Sequence, residues 1–243
     1  MSNSLKSLCS LSFNSCLLHL KCIKLSRNSL AFTSELGRRF QHSKDIKCWK
    51  CGIERKNINE LFCPKCNIIQ NPEDKNNYFN LLQCDVSFDI DSKTLRDKYR
   101  HMQSVLHPDK FSNRSLEEKN ISGDFSSLVN KAYDILQSPL KRAVHLLALK
   151  GEKIKEDERI EDPEFLMEIM ELNEEVENAS TPEKLKILNV SNRETMRQIE
   201  QDISNFFKQN NLEKVKSSII KLRYYTSVSQ HINELLRERG IVD

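Results

Sequence analysis

Apolar positions recur at helical spacing over most of the chain from Tyr78 onward. Tyr78, Phe79, Leu81 and Leu82 predict a short helix. Leu95, Tyr99, Met102 and Leu106 follow at steps of four, three and four, one stripe of a helix over 91–106 with Asp91 as its N-cap. Phe125, Leu128, Val129, Ala132, Ile135 and Leu136 form a second stripe within about 116–137. After Ser138-Pro139, Leu140, Ala143, Val144, Leu147 and Ala148 predict another helix, closed by Gly151. Residues 152–161 are charged and read as a solvated connection.

Three further helices fill the last third. Asp162-Pro163 and Thr181-Pro182 each place a proline just inside a helix N-terminus, and the last helix runs from near Asn211 to about Arg239, before Gly240. Short joins predict that they pack antiparallel as a bundle. In the first, Phe165, Ile169, Leu172 and Val176 make the core stripe. Leu166, Met167 and Met170 lie on an adjacent face with Glu171 and Glu174. Methionine and leucine rimmed by carboxylates suit an adaptable protein-binding patch; a helix buried on a wide face is the alternative.

Composition supports a mostly α fold. Five glycines and six prolines in 243 residues are few, and 30% charged residues suit long solvated helices. The net charge of +3 makes no case for nucleic acid. It is unevenly placed. Residues 1–40 hold six basic residues (Lys6, Lys21, Lys24, Arg27, Arg38, Arg39) against Glu35, a net +5 that leaves the remainder at −2. Basic, serine-rich and acid-poor is the composition of a mitochondrial transit peptide, with a cut near Arg38-Arg39-Phe40; a tail without an address is the alternative. No apolar run of about 18 residues exists to span a membrane.

Four of the eight cysteines form two C-x-x-C hooks, Cys48/Cys51 and Cys63/Cys66. Two such hooks offer four thiolates to one tetrahedral structural zinc. Gly52 permits a tight turn and Pro64 stiffens the second hook. The segment is too poor in apolar residues to fold alone, so metal would supply its folding free energy. A redox pair, two disulfides and iron are the competing readings. Cys84 reads as a small buried hydrophobe.

Between the helices at 91–106 and 116–137 stands His107-Pro108-Asp109. Pro108 ends the first helix, and Lys93, Arg96, Lys98 and Arg100 make that helix basic. A cap and an ordinary turn residue are the bland readings of His107 and Asp109. The arrangement resembles a J-domain, the co-chaperone module of heat-shock ATPases. The wider order of HPDKF (107–111), YFNLL (78–82), SPLKRAVHLL (138–147), FLMEIMELNEEVE (165–177) and KLRYYTSV (221–228) resembles the mitochondrial iron–sulfur cluster co-chaperones of the HscB type.

The resemblance implies a transit peptide over 1–41, a four-cysteine zinc module over 42–70, a linker over 71–77, a J-domain over 78–151, a linker over 152–161 and a three-helix scaffold-binding domain over 162–243. It implies a chain that is not itself an enzyme. Located in the mitochondrial matrix, it would bind the iron–sulfur cluster scaffold protein, deliver it to a heat-shock ATPase chaperone and stimulate ATP hydrolysis. His107, Pro108, Asp109, Arg96, Lys98 and Arg100 would meet the chaperone. Leu166, Met167, Met170, Glu171, Glu174 and Tyr224 would meet the scaffold, whereas Asn178 stands where some members carry an acid. Cys48, Cys51, Cys63 and Cys66 would hold one zinc. A general J-domain co-chaperone for unfolded clients and a zinc-ribbon nucleic-acid binder are the rival classes. A stoichiometric complex with one folded scaffold separates off the first, and a steep salt dependence of nucleic-acid affinity would mark the second.

Overall fold

The computed structural model describes residues 47–57, 60–155 and 158–240; the expected transit peptide lies outside them. Seven α-helices and no β-strand are found among the described residues: α1 (Tyr78–Leu81), α2 (Ser92–Leu106), α3 (Leu116–Gln137), α4 (Pro139–Leu149), α5 (Pro163–Glu177), α6 (Pro182–Lys208) and α7 (Leu212–Glu238). The fold is mostly α, as the periodicity predicts.

Local chemistry sets the helix ends. Asp91 accepts from the Thr94 N–H at 2.7 Å and opens α2. Ser115 and Glu118 form a reciprocal capping box on α3. Ser138, Asp162 and Thr181 cap α4, α5 and α6, each followed by proline in the first turn. Gly151 follows the cap of α4 at φ +88°, a conformation that costs a residue with a Cβ.

α2 and α3 form a hairpin, with α1 against α3. α6 and α7, of 27 residues each, form the longest pair. They run antiparallel, with the register fixed by buried amides. Asn192 Nδ2 donates to the Tyr225 carbonyl at 3.0 Å, and Asn189 Nδ2 to Asn233 Oδ1 at 3.2 Å. α5 packs on α7 and runs parallel to it: Phe165 meets Tyr224 and Tyr225, while Glu177 meets His231 further along both helices.

One apolar core runs from the α1–α4 region into the long helices. It includes Phe79, Leu95, Leu106, Val129 and Leu136, and continues through Leu147, Ile203, Ile219 and Leu222. Two segments reinforce this continuity. Phe88, before α2, lies 6.0 Å from Phe207 of α6 between ring centroids. Asp89 accepts from Ser204 Oγ at 2.7 Å and pairs with Lys208 Nζ at 2.8 Å, contacts that hold its carboxyl below the usual range. The charged connection is only partly solvated. Ile154 and Ile160 pack on the core, and Glu152 pairs with Lys216 of α7 at 2.6 Å. A smaller cluster of Val176, Ala179, Leu185, Val228, Ile232 and Leu236 closes the far end.

Helix α4 differs from its predicted stripe. Val144 is 38% exposed, while the polar Arg142 and His145 are buried. The Arg142 guanidinium lies over the Phe88 ring at 5.0 Å and donates to the Leu136 carbonyl at 2.7 Å. His145 stacks on Tyr78 at 4.4 Å, and its Nε2 accepts from the Tyr78 N–H at 3.3 Å. Burial pushes its imidazole down to about 4. Cys84 is half-buried, and burial raises its thiol.

Candidate functional site

The two cysteine hooks fold as matching knuckles. The Gly52 N–H donates to the Cys48 carbonyl and the Asn67 N–H to the Cys63 carbonyl, both at 2.9 Å. Gly52 and Asn67 take the same left-handed turn, at φ +70° and +50°. Isolated bridges Lys47–Glu54 and Phe62–Ile69 close the two loops. The four sulfurs then fall within 4.8 Å of one another. Cys48–Cys66 and Cys51–Cys63 are 3.6 and 3.7 Å apart. A disulfide needs about 2.05 Å. Thiolates about 2.3 Å from one tetrahedral ion stand about 3.8 Å apart, so the spacing fits a shared metal.

The electrostatics agree. Burial opposes ionisation of Cys48, but the N–H groups of Cys51 and Lys50, together with the Cys63 and Cys51 thiols, outweigh it and bring the thiol down to about 6. The Cys63 thiol is lowered in the same way, against burial, by the N–H groups of Cys66 and Lys65. Burial and the three other thiols push Cys66 up to about 12. Backbone N–H groups and neighbouring thiols therefore favour ionisation of part of the set, and a dication would supply the charge the rest needs. The module is tied to the helical core: Trp49 Nε1 donates to the Ile69 carbonyl at 2.7 Å, and Ile69 is fully buried among the helices.

The turn after α2 is stiff and exposed. His107 caps α2 at φ −58°, ψ 131°, the extended geometry a following proline demands. Pro108–Phe111 make one 3-10 turn anchored by Phe111, which is buried. Above that anchor the side chains of His107 and Asp109 are 59% and 89% exposed. His107 Nδ1 faces inward to Asp109, 3.4 Å from its N–H and from its carboxylate, leaving Nε2 outward. Arg96 and Arg100 are exposed and, at steps of four and seven, share the face of α2 that ends at His107. Lys98 lies on another face and donates to the Gln83 carbonyl.

The third arrangement is on α5 and α7. Phe165, Ile169 and Val176 are buried and Leu172 half-buried, as the core stripe predicts. Met167 and Met170 are 62% and 40% exposed, and Leu166 is half-buried. Leu166, Met170 and Glu177 follow at steps of four and seven along one flank of α5, with Met167 and Glu174 on the crest. Tyr224 borders that flank from α7, edge-on to Phe165 at 5.5 Å. Glu171 is exposed on the far shoulder. Glu168, on the opposite flank, accepts from Tyr225 Oη.

Residues 161–233 match the family model described as the HSCB C-terminal oligomerisation domain. The iron–sulfur cluster co-chaperone protein HscB of Mus musculus is 36% identical over 189 residues, which cover 76% of this chain and 81% of that protein. The chain belongs to the HscB family of iron–sulfur cluster co-chaperones. The crystal structure of human co-chaperone protein HscB is similar at 34% identity and a TM-score of 0.73, covering 77% of this chain and 97% of that one. The chaperone HscB from Vibrio cholerae gives 27% identity and a TM-score of 0.61 over 67% of this chain and 98% of that one. An HscB-family assignment makes this a co-chaperone.

Sequence reasoning missed His231, which continues the Tyr224 stripe of α7 one heptad on and meets Glu177 at 2.9 Å. The step of seven was its signal. It also missed Lys221, whose Nζ lies 5.2 Å over the Phe165 ring.

Proposed function

We propose that this chain carries an iron–sulfur cluster scaffold protein to a mitochondrial heat-shock ATPase chaperone and stimulates its ATP hydrolysis, without being an enzyme itself. The carrying observation is the exposed His107-Pro108-Asp109 turn seated on buried Phe111. Asp109 offers acceptors and His107 Nε2 a donor on a rigid base, so little ordering entropy is lost on docking. Arg96 and Arg100 add positive charge along the same face and would steer an acidic chaperone surface. Lys98 contributes to that field from its own side.

The scaffold would dock on Leu166, Met167, Met170, Glu171, Glu174 and Tyr224. Half-exposed apolar side chains gain from burial, and the carboxylates select a basic rim. Cys48, Cys51, Cys63 and Cys66 would hold one zinc, which supplies no reaction chemistry and ties two knuckles together. No nucleic acid or membrane partner enters this reading; no helix among the described residues is long and apolar enough to cross a membrane. We assign residues 1–41 as the transit peptide, 42–70 as the zinc module, 78–151 as the J-domain and 162–243 as the scaffold-binding domain, with linkers at 71–77 and 152–161.

The chaperone's ATPase rate, measured with this protein and with or without the scaffold, tests the function. Stimulation should appear with the protein alone and rise further with scaffold; no stimulation in either case overturns the reading. Terminal sequencing of the protein recovered from cells tests the matrix address, which an intact Met1 would contradict.

A further inference from the structure

We infer that Glu177, held in place by His231, is a distal acidic contact of the α5–α7 docking face and receives a basic side chain of the docked protein; this rests on the proposed docking function of that face.

Three observations carry it. The first is position. Glu177 lies on the flank that holds Leu166 and Met170, and His231 lies on the stripe that holds Tyr224. The two rows converge where His231 Nε2 meets Glu177 Oε1 at 2.9 Å, so the pair closes the far end of the exposed apolar strip.

The second is local electrostatics. Glu174, Glu175 and Glu177 crowd the last turn of α5, which has no basic residue. The carbonyl end of a helix favours cations, so acids there cost stability. α5 carries six glutamates and no lysine or arginine. A charge pattern that opposes its own helix is a mark of use by a partner. An apolar strip walled by carboxylates is complementary to an apolar knob ringed by lysine or arginine.

The third is the state of the pair. A carboxylate only accepts, so Nε2–H of His231 donates to it. The Glu177 side chain remains 64% exposed, against 32% for His231. His231 therefore fixes one carboxylate oxygen of a side chain that stays largely exposed to a partner. It acts as a positioning residue for Glu177.

The experiment is titration calorimetry of the full-length protein with the apo cluster-scaffold protein at several salt concentrations. Glu177→Lys should weaken binding by about tenfold and flatten its salt dependence, because the rim attraction becomes repulsion. Glu177→Gln should weaken it about threefold. His231→Ala should weaken it less than Glu177→Gln and add nothing in that background, and a full additive loss there would refute the positioning role. Melting curves of each variant exclude loss of fold. Met167→Ala with Met170→Ala is the reference for the face itself. If that variant loses binding while Glu177→Lys binds normally, the inference falls and the docking face stands. If neither loses binding, the docking face is misassigned and the inference falls with it.

Discussion

Acidification from pH 7 to pH 5 should cost the fold about 2 kcal/mol through His145 alone. Its ring is stacked on Tyr78, and its Nε2 accepts the Tyr78 N–H. A proton there charges a buried ring and turns the acceptor into a donor facing a donor. Burial lowers the imidazole from 6.5 to about 4. The unfolded chain therefore takes the proton first. The His145 contribution is complete above pH 6.5, declines as the pH falls, and is exhausted below about pH 4. The slope approaches about 1.36 kcal/mol per pH unit, giving about 2 kcal/mol by pH 5 and about 3 kcal/mol in all.

Two other groups bracket this window. Asp89, lowered by Lys208 and Ser204, loses its contribution only at more acid pH. Glu200, raised by burial, works in the opposite direction, since the folded form takes its proton first. The observable is therefore a difference between proteins. Urea denaturation at pH 7 and pH 5 should show about 2 kcal/mol more loss in the wild type than in His145→Gln, whose amide oxygen can accept from Tyr78 without titrating. Acid effects on the cysteine knuckles are common to both proteins and cancel. Equal losses in the two would refute the buried, neutral state of His145.

His107→Gln or Asp109→Asn should abolish ATPase stimulation with an unchanged helical circular dichroism spectrum; normal stimulation by both would remove the chaperone-contact role. Cys51→Ser should lose one zinc per chain by elemental analysis and shift the fluorescence of Trp49, the chain's one tryptophan, which is bonded to Ile69. Metal at wild-type stoichiometry would contradict the shared site. Met167→Ala with Met170→Ala removes side chains that are 62% and 40% exposed. Burial of those fractions at about 1.5–3 kcal/mol per full side chain is worth about 1.5–3 kcal/mol together. Scaffold affinity should therefore fall roughly ten- to hundredfold by calorimetry, while stimulation without scaffold persists.

Features written in short-range spacing were legible in the sequence. The cysteine hooks, the His107 turn and each proline-opened helix depend on residues within a few positions of one another. The split of α5 into a core stripe and an exposed Met face was legible too, because both follow from one helix period. What long-range packing decides was not. Nothing near Arg142 or His145 signals that they are buried, since Phe88 and Tyr78 lie 54 and 67 positions away. The Asp89 contact with Ser204 spans 115 positions and joins the segment before α2 to α6, which the sequence presents as parts of separate modules. His231 stayed hidden for the same reason. Its heptad step from Tyr224 is visible, but its meaning depends on α5 lying parallel to α7.

Helix α7 touches both halves of the protein. Lys216 in its first turns pairs with Glu152 just after α4, and Tyr224 to His231, from its middle onward, border α5. Its 27 residues make a rod of about 40 Å. On the proposed assignment, that rod is a gauge between the two docking faces. A flexible tether would set the delivery of the carried protein by linker length, whereas a rod sets it by phase. One residue inserted upstream of Tyr224 would turn the Tyr224–His231 stripe by about 100° and lengthen the reach by only about 1.5 Å. On that assignment, the angle at which cargo meets the chaperone would be encoded in the residue count of a single helix.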